Sequence, residues 1–358
     1  MSTLVVDRIS KSFGDIEALK RVSFECNEGE FVVIVGPSGA GKSTTLNCIS
    51  GVELPEEGTI FIGDKEVTMM PARDRNVAMV FETYALYPQF SVYNNLAFPL
   101  RSPRYQLPED EIEARIKRVS TLLSIDMLLD RLPRQLSQGQ RQRVSLGRAL
   151  VRTPDLFLLD EPISHLDAKL RNAMRRELKL MRASLTQTTV YVTHDYLEAL
   201  SLADRVVVLF KGEVLQFDRV KNVYNRPAAV EVGNLFGDLP MMFFEGKVNE
   251  QNEFIPADDS FRLSTEGTIS QLQPGLEVIL GLRPTDVQLT APGQSQIKGE
   301  VYSVQNQFDR QLVTIKSNGN LIDLVAPSKL SISAGDKAGV SIAPEICYYF
   351  DRHTHKAL

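Results

Sequence analysis

The chain has 358 residues, 43% hydrophobic and 24% charged, with a formal net charge of -5. That length provides for two or more domains with their own cores, and the charge excludes a global basic field that would recruit nucleic acid. The longest apolar runs, such as "VVVLF" at 206–210, fall far short of the roughly 20 residues of a membrane span. "MSTLVVDRIS" lacks a signal layout, and Cys26, Cys48 and Cys347 lack metal-ligand spacing, so a reduced, cytoplasmic setting is expected.

The first part alternates strand and helix signals. "FVVIVG" (31–36) is a wholly apolar strand, followed by a Gly-rich turn and a helix that carries Cys48 as a small packed residue. "MVFETYALYP" (79–88) runs from a buried strand end into a greasy loop, with Glu82 between. A helical insert is expected from about residue 89 to 154. In it, Pro108 and acids precede Ile112, Ile116, Val119 and Leu123 at helical spacing. "DLFLLDEP" (155–162), "TTVYVTHD" (188–195) and "RVVVLFKGE" (205–213) are further strands, the last closing in a Lys-Gly turn. Such strands predict a parallel sheet covered on both faces. After "GNLFGDLPMM" (233–242) short alternating runs with Pro-Gly, Asn-Gly and Gly-Asp pairs take over. They predict an all-β, barrel-like domain over 236–358, behind an α/β domain over 1–235.

"GPSGAGKST" (36–44) fits G-x-x-x-x-G-K-[ST] between a strand and a helix. Its glycines Gly36, Gly39 and Gly41, with Ser38 and Thr44, let backbone N–H groups turn towards phosphate oxygens at a helix N-terminus. Lys42 would reach the β- and γ-phosphates, and the Ser43 hydroxyl would ligate Mg²⁺. Asp160 ends an apolar strand and Glu161 follows directly. Two carboxylates side by side there are costly unless a cation or a catalytic role explains them. Asp160 is assigned to the metal and Glu161 to orienting water as the base. "LSQGQRQRVSLGRAL" (136–150) opens a helix. Its N-cap Ser137, with Gly139 allowing close approach, makes an anion site, though an ordinary capped helix explains it as well.

Taken in order, the phosphate loop, "LSQGQ" (136–140), "LFLLDEP" (156–162), "SHLD" (164–167) and "THD" (193–195) resemble the nucleotide-binding subunit of ATP-binding cassette (ABC) transporters over residues 3–235. The resemblance implies a phosphate-loop NTPase cassette with a helical subdomain. Two cassettes would sandwich two ATP, the phosphate loop of one facing Ser137, Gly139 and Gln140 of the other. It places Phe13 against adenine, His194 near the γ-phosphate and Asp167 in a loop crossing the dimer interface. His165 stands where Asn or Ala is more usual. Glu82 stands where the family has Gln, in a loop that feels both Mg²⁺ and the membrane subunits. A carboxylate there gains a charge and loses a donor, which should make nucleotide engagement more metal-dependent. Tyr84, Leu86, Tyr87, Pro88 and 91–100 would receive short helices from the membrane subunits, or else form a small satellite core.

The tail narrows the subfamily. "GLRPTDVQL" (281–289) and "NRPAAVEVGNLFGDLPMMFF" (225–244) resemble carbohydrate importer ATPases of the maltose type, whose tails build oligonucleotide-binding-like barrels. The implied protein is the ATPase of a bacterial sugar or polyol importer, peripheral at the cytoplasmic face of the cell membrane. Its partners would be a second ATPase subunit, identical or different, two membrane permeases and, indirectly, an external solute-binding protein, with no nucleic acid. Importers for polyamine, iron or sulfate carry β tails too. A subunit with a mainly regulatory site, and a soluble ABC ATPase acting on DNA or ribosomes, are the alternatives.

Overall fold

The computed structural model describes residues 2–81, 84–102, 107–164, 166–184, 187–265 and 272–358. It divides into two compact units, Met1–Val220 and Lys221–Leu358. The first runs β1 (Leu4–Phe13), β2 (Ile16–Cys26), β3 (Phe31–Val35), α1 (Lys42–Ser50), β4 (Glu57–Ile62), β5 (Lys65–Glu66), β6 (Val77–Val80), α2 (Val92–Ala97), α3 (Glu109–Leu122), α4 (Gln138–Leu150), β7 (Leu156–Asp160), α5 (Ala168–Ser184), β8 (Thr188–Thr193), α6 (Tyr196–Leu202), β9 (Arg205–Phe210) and β10 (Glu213–Arg219).

The main sheet has the order β10-β9-β3-β8-β7-β6. Its strands are parallel except β10, which pairs antiparallel with β9 at the edge. Every residue of β3, β7 and β8 is buried, the signature of strands covered on both faces. These three are neighbours and point the same way, so the loops after residues 35, 160 and 193 leave one edge of the sheet together. Open parallel sheets bind ligands at that carboxyl edge.

A second sheet, β2-β1-β4-β5, is antiparallel, and the sequence reading does not foresee it. Its alternation is interrupted by register shifts after Val6 and Ile9, and Arg8 and Arg21 have φ of 50°. Its inward residues Leu4, Val6, Leu19 and Phe24 share one core with Val32, Ile34, Leu46 and Val190. Arg75 fixes α1 from behind. Its guanidinium donates to Cys48 O at 2.7 Å and Ile49 O at 2.9 Å, a cation on the negative end of the helix. Burial holds that guanidinium below its usual pKa.

Between β6 and β7 the chain forms α2, α3 and α4. Ser91 caps α2. Pro108 is the N-cap residue of α3, and Glu109, Asp110 and Glu111 occupy the first turn at the positive end. Ile112, Ile116, Val119 and Leu123 are buried.

The second unit comprises α7 (Val220–Asn225), α8 (Val230–Leu235), β11 (Met242–Val248), β12 (Glu253–Pro256), β13 (Leu263–Ser264), β14 (Glu277–Leu282), β15 (Gln288–Thr290), β16 (Ile297–Gln307), β17 (Arg310–Ser317), β18 (Asn320–Pro327), β19 (Lys337–Ser341) and β20 (Tyr348–Asp351). Two antiparallel sheets, β13-β12-β11-β14-β20 and β15-β19-β16-β17-β18, share one apolar core. The division falls earlier than the change of texture at 236 because the preceding helix packs on these strands. Gly233 lies against Met241 and Phe350, Val230 N donates to His355 O at 3.0 Å, and Arg283 Nη2 donates to Tyr224 O at 2.8 Å.

Candidate functional site

The loop after β3 wraps tightly because three glycines permit it. A Cβ on Gly36 would sit 2.1 Å from Leu209 O, and one on Gly41 2.6 Å from Ala18 O. Gly39 and Gly41 have φ of 76° and 102°, a region open to glycine at little strain. The loop delivers α1 with Gly41 as its N-cap residue. Thr45 Oγ1 donates to Gly41 O at 2.9 Å. The Lys-Gly turn is part of the same construction, since Gly212 N donates to Ala40 O at 3.0 Å.

Lys42 is only 6% exposed; its Nζ donates to Pro37 O at 2.9 Å and lies 3.8 Å from Glu161 Oε1. Burial pushes its pKa down, while Glu161 and then Asp160 push it back up. Ser43 Oγ donates to Asp160 Oδ1 at 3.2 Å, and Asp160 is 8% exposed. Glu161 turns out of β7 at a φ of 44°, a left-handed conformation that costs about 1–2 kcal/mol. Two bonds hold it there: its N–H donates to Val192 O at 3.0 Å, and its carbonyl accepts from Ser164 Oγ at 3.0 Å. Its Oε2 is 2.8 Å from His194 Nδ1.

Ser38, Gly39, Gly41, Lys42, Ser43, Thr44, Glu161 and His194 thus surround one cavity of about 970 Å³. Gly36 and Asp160 stand immediately behind its wall. Glu17, Lys20 and Lys211 complete the rim. In the sequence each of these looks like an ordinary surface charge; the Lys-Gly turn after β9 is the one signal that could have found Lys211.

Ser137, Gly139, Gln140, Phe13 and Asp167 do not line that cavity. Ser137 and Gln140 form a capping box at the start of α4: Gln140 N donates to Ser137 Oγ at 3.3 Å, and Ser137 N to Gln140 Oε1 at 2.9 Å. Phe13 is 46% exposed, with Lys11 Nζ 5.3 Å from its ring centroid. Asp167 is exposed and accepts the Arg171 amide at 2.8 Å. Glu82 and His165 lie outside the described residues.

The donor set suits Mg²⁺. Asp160 and Ser43 offer a carboxylate and a hydroxyl side by side, and among the described residues no three His, Cys, Asp or Glu side chains converge on a metal cage. Mg²⁺ is typically held that way, by one or two protein oxygens together with substrate phosphates and water.

A second feature lies at the loop beyond Glu82. Tyr84 and Ala85 have φ of 62° and 43°, and their carbonyls accept from Ser145 Oγ at 2.8 Å and Arg148 Nη1 at 2.7 Å. Tyr87, Phe90 and Phe98 cluster with centroids 4.7–5.6 Å apart. Leu96 and Leu100 beside them are buried, whereas Phe98 is exposed. The stretch 91–100 therefore supplies both a satellite core and a surface. A cavity of about 590 Å³ adjoins it, lined by Arg73, Met79, Tyr87, Phe98, Arg101 and Arg148 among others.

The family model described as "ABC transporter" matches residues 19–164. The chain is 40% identical to the trehalose/maltose import ATP-binding protein MalK of Thermococcus litoralis, over 97% of each chain. It is 40% identical to the xylose/arabinose import ATP-binding protein XacK of Haloferax volcanii, over 100% of this chain and 96% of that one. Among solved structures, the ATP-binding cassette MJ0796, as a dimer in a post-hydrolysis state bound to ADP and Pi, aligns with a TM-score of 0.54 at 32% identity. It covers 61% of this chain and 98% of that one.

Proposed function

The chain belongs to the ATP-binding proteins of ABC transporters, and on that premise we propose that it hydrolyses ATP to power the import of a sugar or polyol. The reading rests on the convergence of Lys42, Ser43, Glu161 and His194 on one cavity, with Asp160 behind Ser43. Lys42 and the N–H groups of 36–44 hold the β- and γ-phosphates. Glu161 orients the attacking water and takes its proton on a carboxylate oxygen, while His194 contacts the γ-phosphate. Asp160 and Ser43 would hold Mg²⁺, which when bound neutralises phosphate charge. Phe13 stacks on adenine.

Ser137, Gly139 and Gln140 complete the site of a second cassette, and Asp167 lies at the seam between the two. Their absence from this chain's own cavity supports an arrangement in trans, as does the dimeric state of the MJ0796 cassette. The exposed Phe98 and the neighbouring arginine-lined cavity suit two membrane permeases as further partners. An external solute-binding protein acts through them. No helix among the described residues is long and apolar enough to cross a membrane, which suits a peripheral subunit on the cytoplasmic face. The carbohydrate class is supported by the names of the two relatives, which differ in sugar.

The test is uptake by the reconstituted complex across a panel of sugars and polyols. Lys42→Ala is expected to abolish ATP-driven uptake; full-speed uptake by that variant overturns the reading. A second reading, a mainly regulatory site beside a different active subunit, is favoured by Glu82 standing where the family has Gln. Single-turnover hydrolysis at each site separates the two.

A further inference from the structure

Behind the cavity the chain closes a ring of contacts. It starts at Glu161, whose carbonyl accepts from Ser164 Oγ at 3.0 Å. The carbonyls of Ser164 and Leu166 both accept from Arg171 Nη2, at 2.9 and 3.0 Å. Arg171 lies in the first turn of α5, four residues before Arg175, so both guanidinium groups leave one face of the helix. Arg175 Nη2 donates to Asp195 Oδ2 at 3.1 Å, and its Nη1 donates to Asn172 Oδ1 at 3.2 Å. His194 precedes Asp195, and its Nδ1 returns to Glu161 Oε2 at 2.8 Å.

We propose that Arg171 and Arg175 are positioning residues that couple Ser164 and Leu166 to the Glu161–His194 pair. The proposal rests on the reading above, in which Asp167, beside Leu166, meets a second cassette. Movement of Ser164 and Leu166 at the seam is passed by Arg171 into α5, one helical turn along to Arg175, and through Asp195 to His194. Hydrolysis is thereby tied to closure.

Two observations argue against a merely stabilising role. Asp195 caps α6 without help: its Oδ1 accepts from Leu197 N at 2.8 Å, and its own N–H donates to Thr193 Oγ1 at 3.0 Å. What Arg175 adds is a grip on the other carboxylate oxygen, Oδ2, which fixes the orientation of the turn carrying His194. That pair is 15% and 17% exposed, so solvent screens it less than a surface ion pair. Moreover, the Nε atoms of both arginines are buried without a hydrogen-bond partner among the described residues. Unpartnered buried donors are a burden that stabilising contacts avoid and functional sites tolerate.

The test uses the full chain with Arg175→Ala, Arg175→Lys, Arg171→Ala, the double alanine variant and Asp195→Asn, which retains a capping oxygen. Each alanine variant and Asp195→Asn are expected to lower kcat about tenfold, with KM and nucleotide affinity within about twofold of wild type. Arg175→Lys should recover part of the rate. The double variant should be no slower than the slower single one within about twofold, because both substitutions open the same ring. In ¹⁵N spectra of histidine-labelled protein the His194 ring signals should move in each variant. Unchanged kcat, an unmoved His194 signal or multiplicative losses in the double variant overturn the coupling. Glu161→Gln, run alongside, keeps the two questions apart: if it too hydrolyses ATP at the wild-type rate, the assignment of the site itself has failed.

Discussion

Replacing Glu161 with Gln tests the assigned chemistry with almost no change of shape. The amide keeps an oxygen that can face His194 Nδ1, now 2.8 Å from Oε2, but it cannot accept a proton from water. A positioned general base contributes roughly 10²–10⁴ in rate, so kcat should fall by about 3–5.5 kcal/mol in barrier terms. Nucleotide affinity should move the other way. The Glu161 carboxylate sits 3.8 Å from Lys42 Nζ, worth about 4 kcal/mol of attraction at an effective dielectric near 20. Removing it frees Lys42 for phosphate and removes a repulsion. After rehydration and screening, a fraction on the order of 1 kcal/mol should remain, about fivefold tighter MgATP binding. Phosphate release gives kcat and titration calorimetry gives affinity. Hydrolysis within a factor of about three of wild type would refute the assignment of Glu161 as the base.

Glu82→Gln should raise the ATPase rate of the assembled complex and raise the Mg²⁺ concentration needed for half-maximal rate by on the order of 1 kcal/mol, about fivefold; an unchanged rate and unchanged Mg²⁺ titration would leave the charge without a role. Burial holds the Glu198 carboxyl above the usual carboxylate range, and Tyr191 OH donates to its Oε2 at 2.7 Å. The folded state therefore binds that proton more tightly than the unfolded chain, and stability falls as pH rises from the ordinary carboxylate value through the raised one. Glu198→Gln should be more stabilising, relative to wild type, at neutral pH than at pH 4; thermal unfolding at the two values checks it. Gly36→Ala, aimed at the Leu209 carbonyl, should cost about 3 kcal/mol because backbone cannot yield. Gly39→Ala meets nothing within 4 Å and should cost only the left-handed conformation, about 1–2 kcal/mol, both read from denaturant unfolding.

The parallel sheet and its loops were legible because burial on both faces writes an uninterrupted apolar run, and because charge immediately after such a run is conspicuous. "LFLLDEP" carries both signals. The antiparallel sheet of β1, β2, β4 and β5 was not, since bulges at Arg8 and Arg21 break the period of two that announces a half-buried strand. Arg75, Arg171 and Arg175 were invisible for a different reason. A buried arginine that grips carbonyls looks, in one dimension, like any surface arginine. Its carbonyl partners leave no mark on the sequence, and Asp195 lies 20 residues from Arg175. The proposed trans relation of Ser137 to the phosphate loop came only through resemblance, because a capping box reads the same whether or not another chain faces it.

The electrostatics of the site explain why nucleotide and metal should arrive together. Around the cavity Lys20, Lys42 and Lys211 balance Glu17, Asp160 and Glu161 in formal charge, and Lys42 already has Glu161 as a neighbour at 3.8 Å. A bare triphosphate meets the adjacent Asp160 and Glu161 carboxylates as a local repulsion, offset by the lysines, the loop N–H groups and the positive end of α1. With Mg²⁺ the sign of the encounter would reverse, since Asp160 and Ser43 would then face a cation rather than phosphate oxygens. Glu82, proposed above to stand near the metal, would favour MgATP and disfavour free ATP further. The proposed departure from Gln therefore does not abolish the site; it would sharpen the site's preference for MgATP over free ATP.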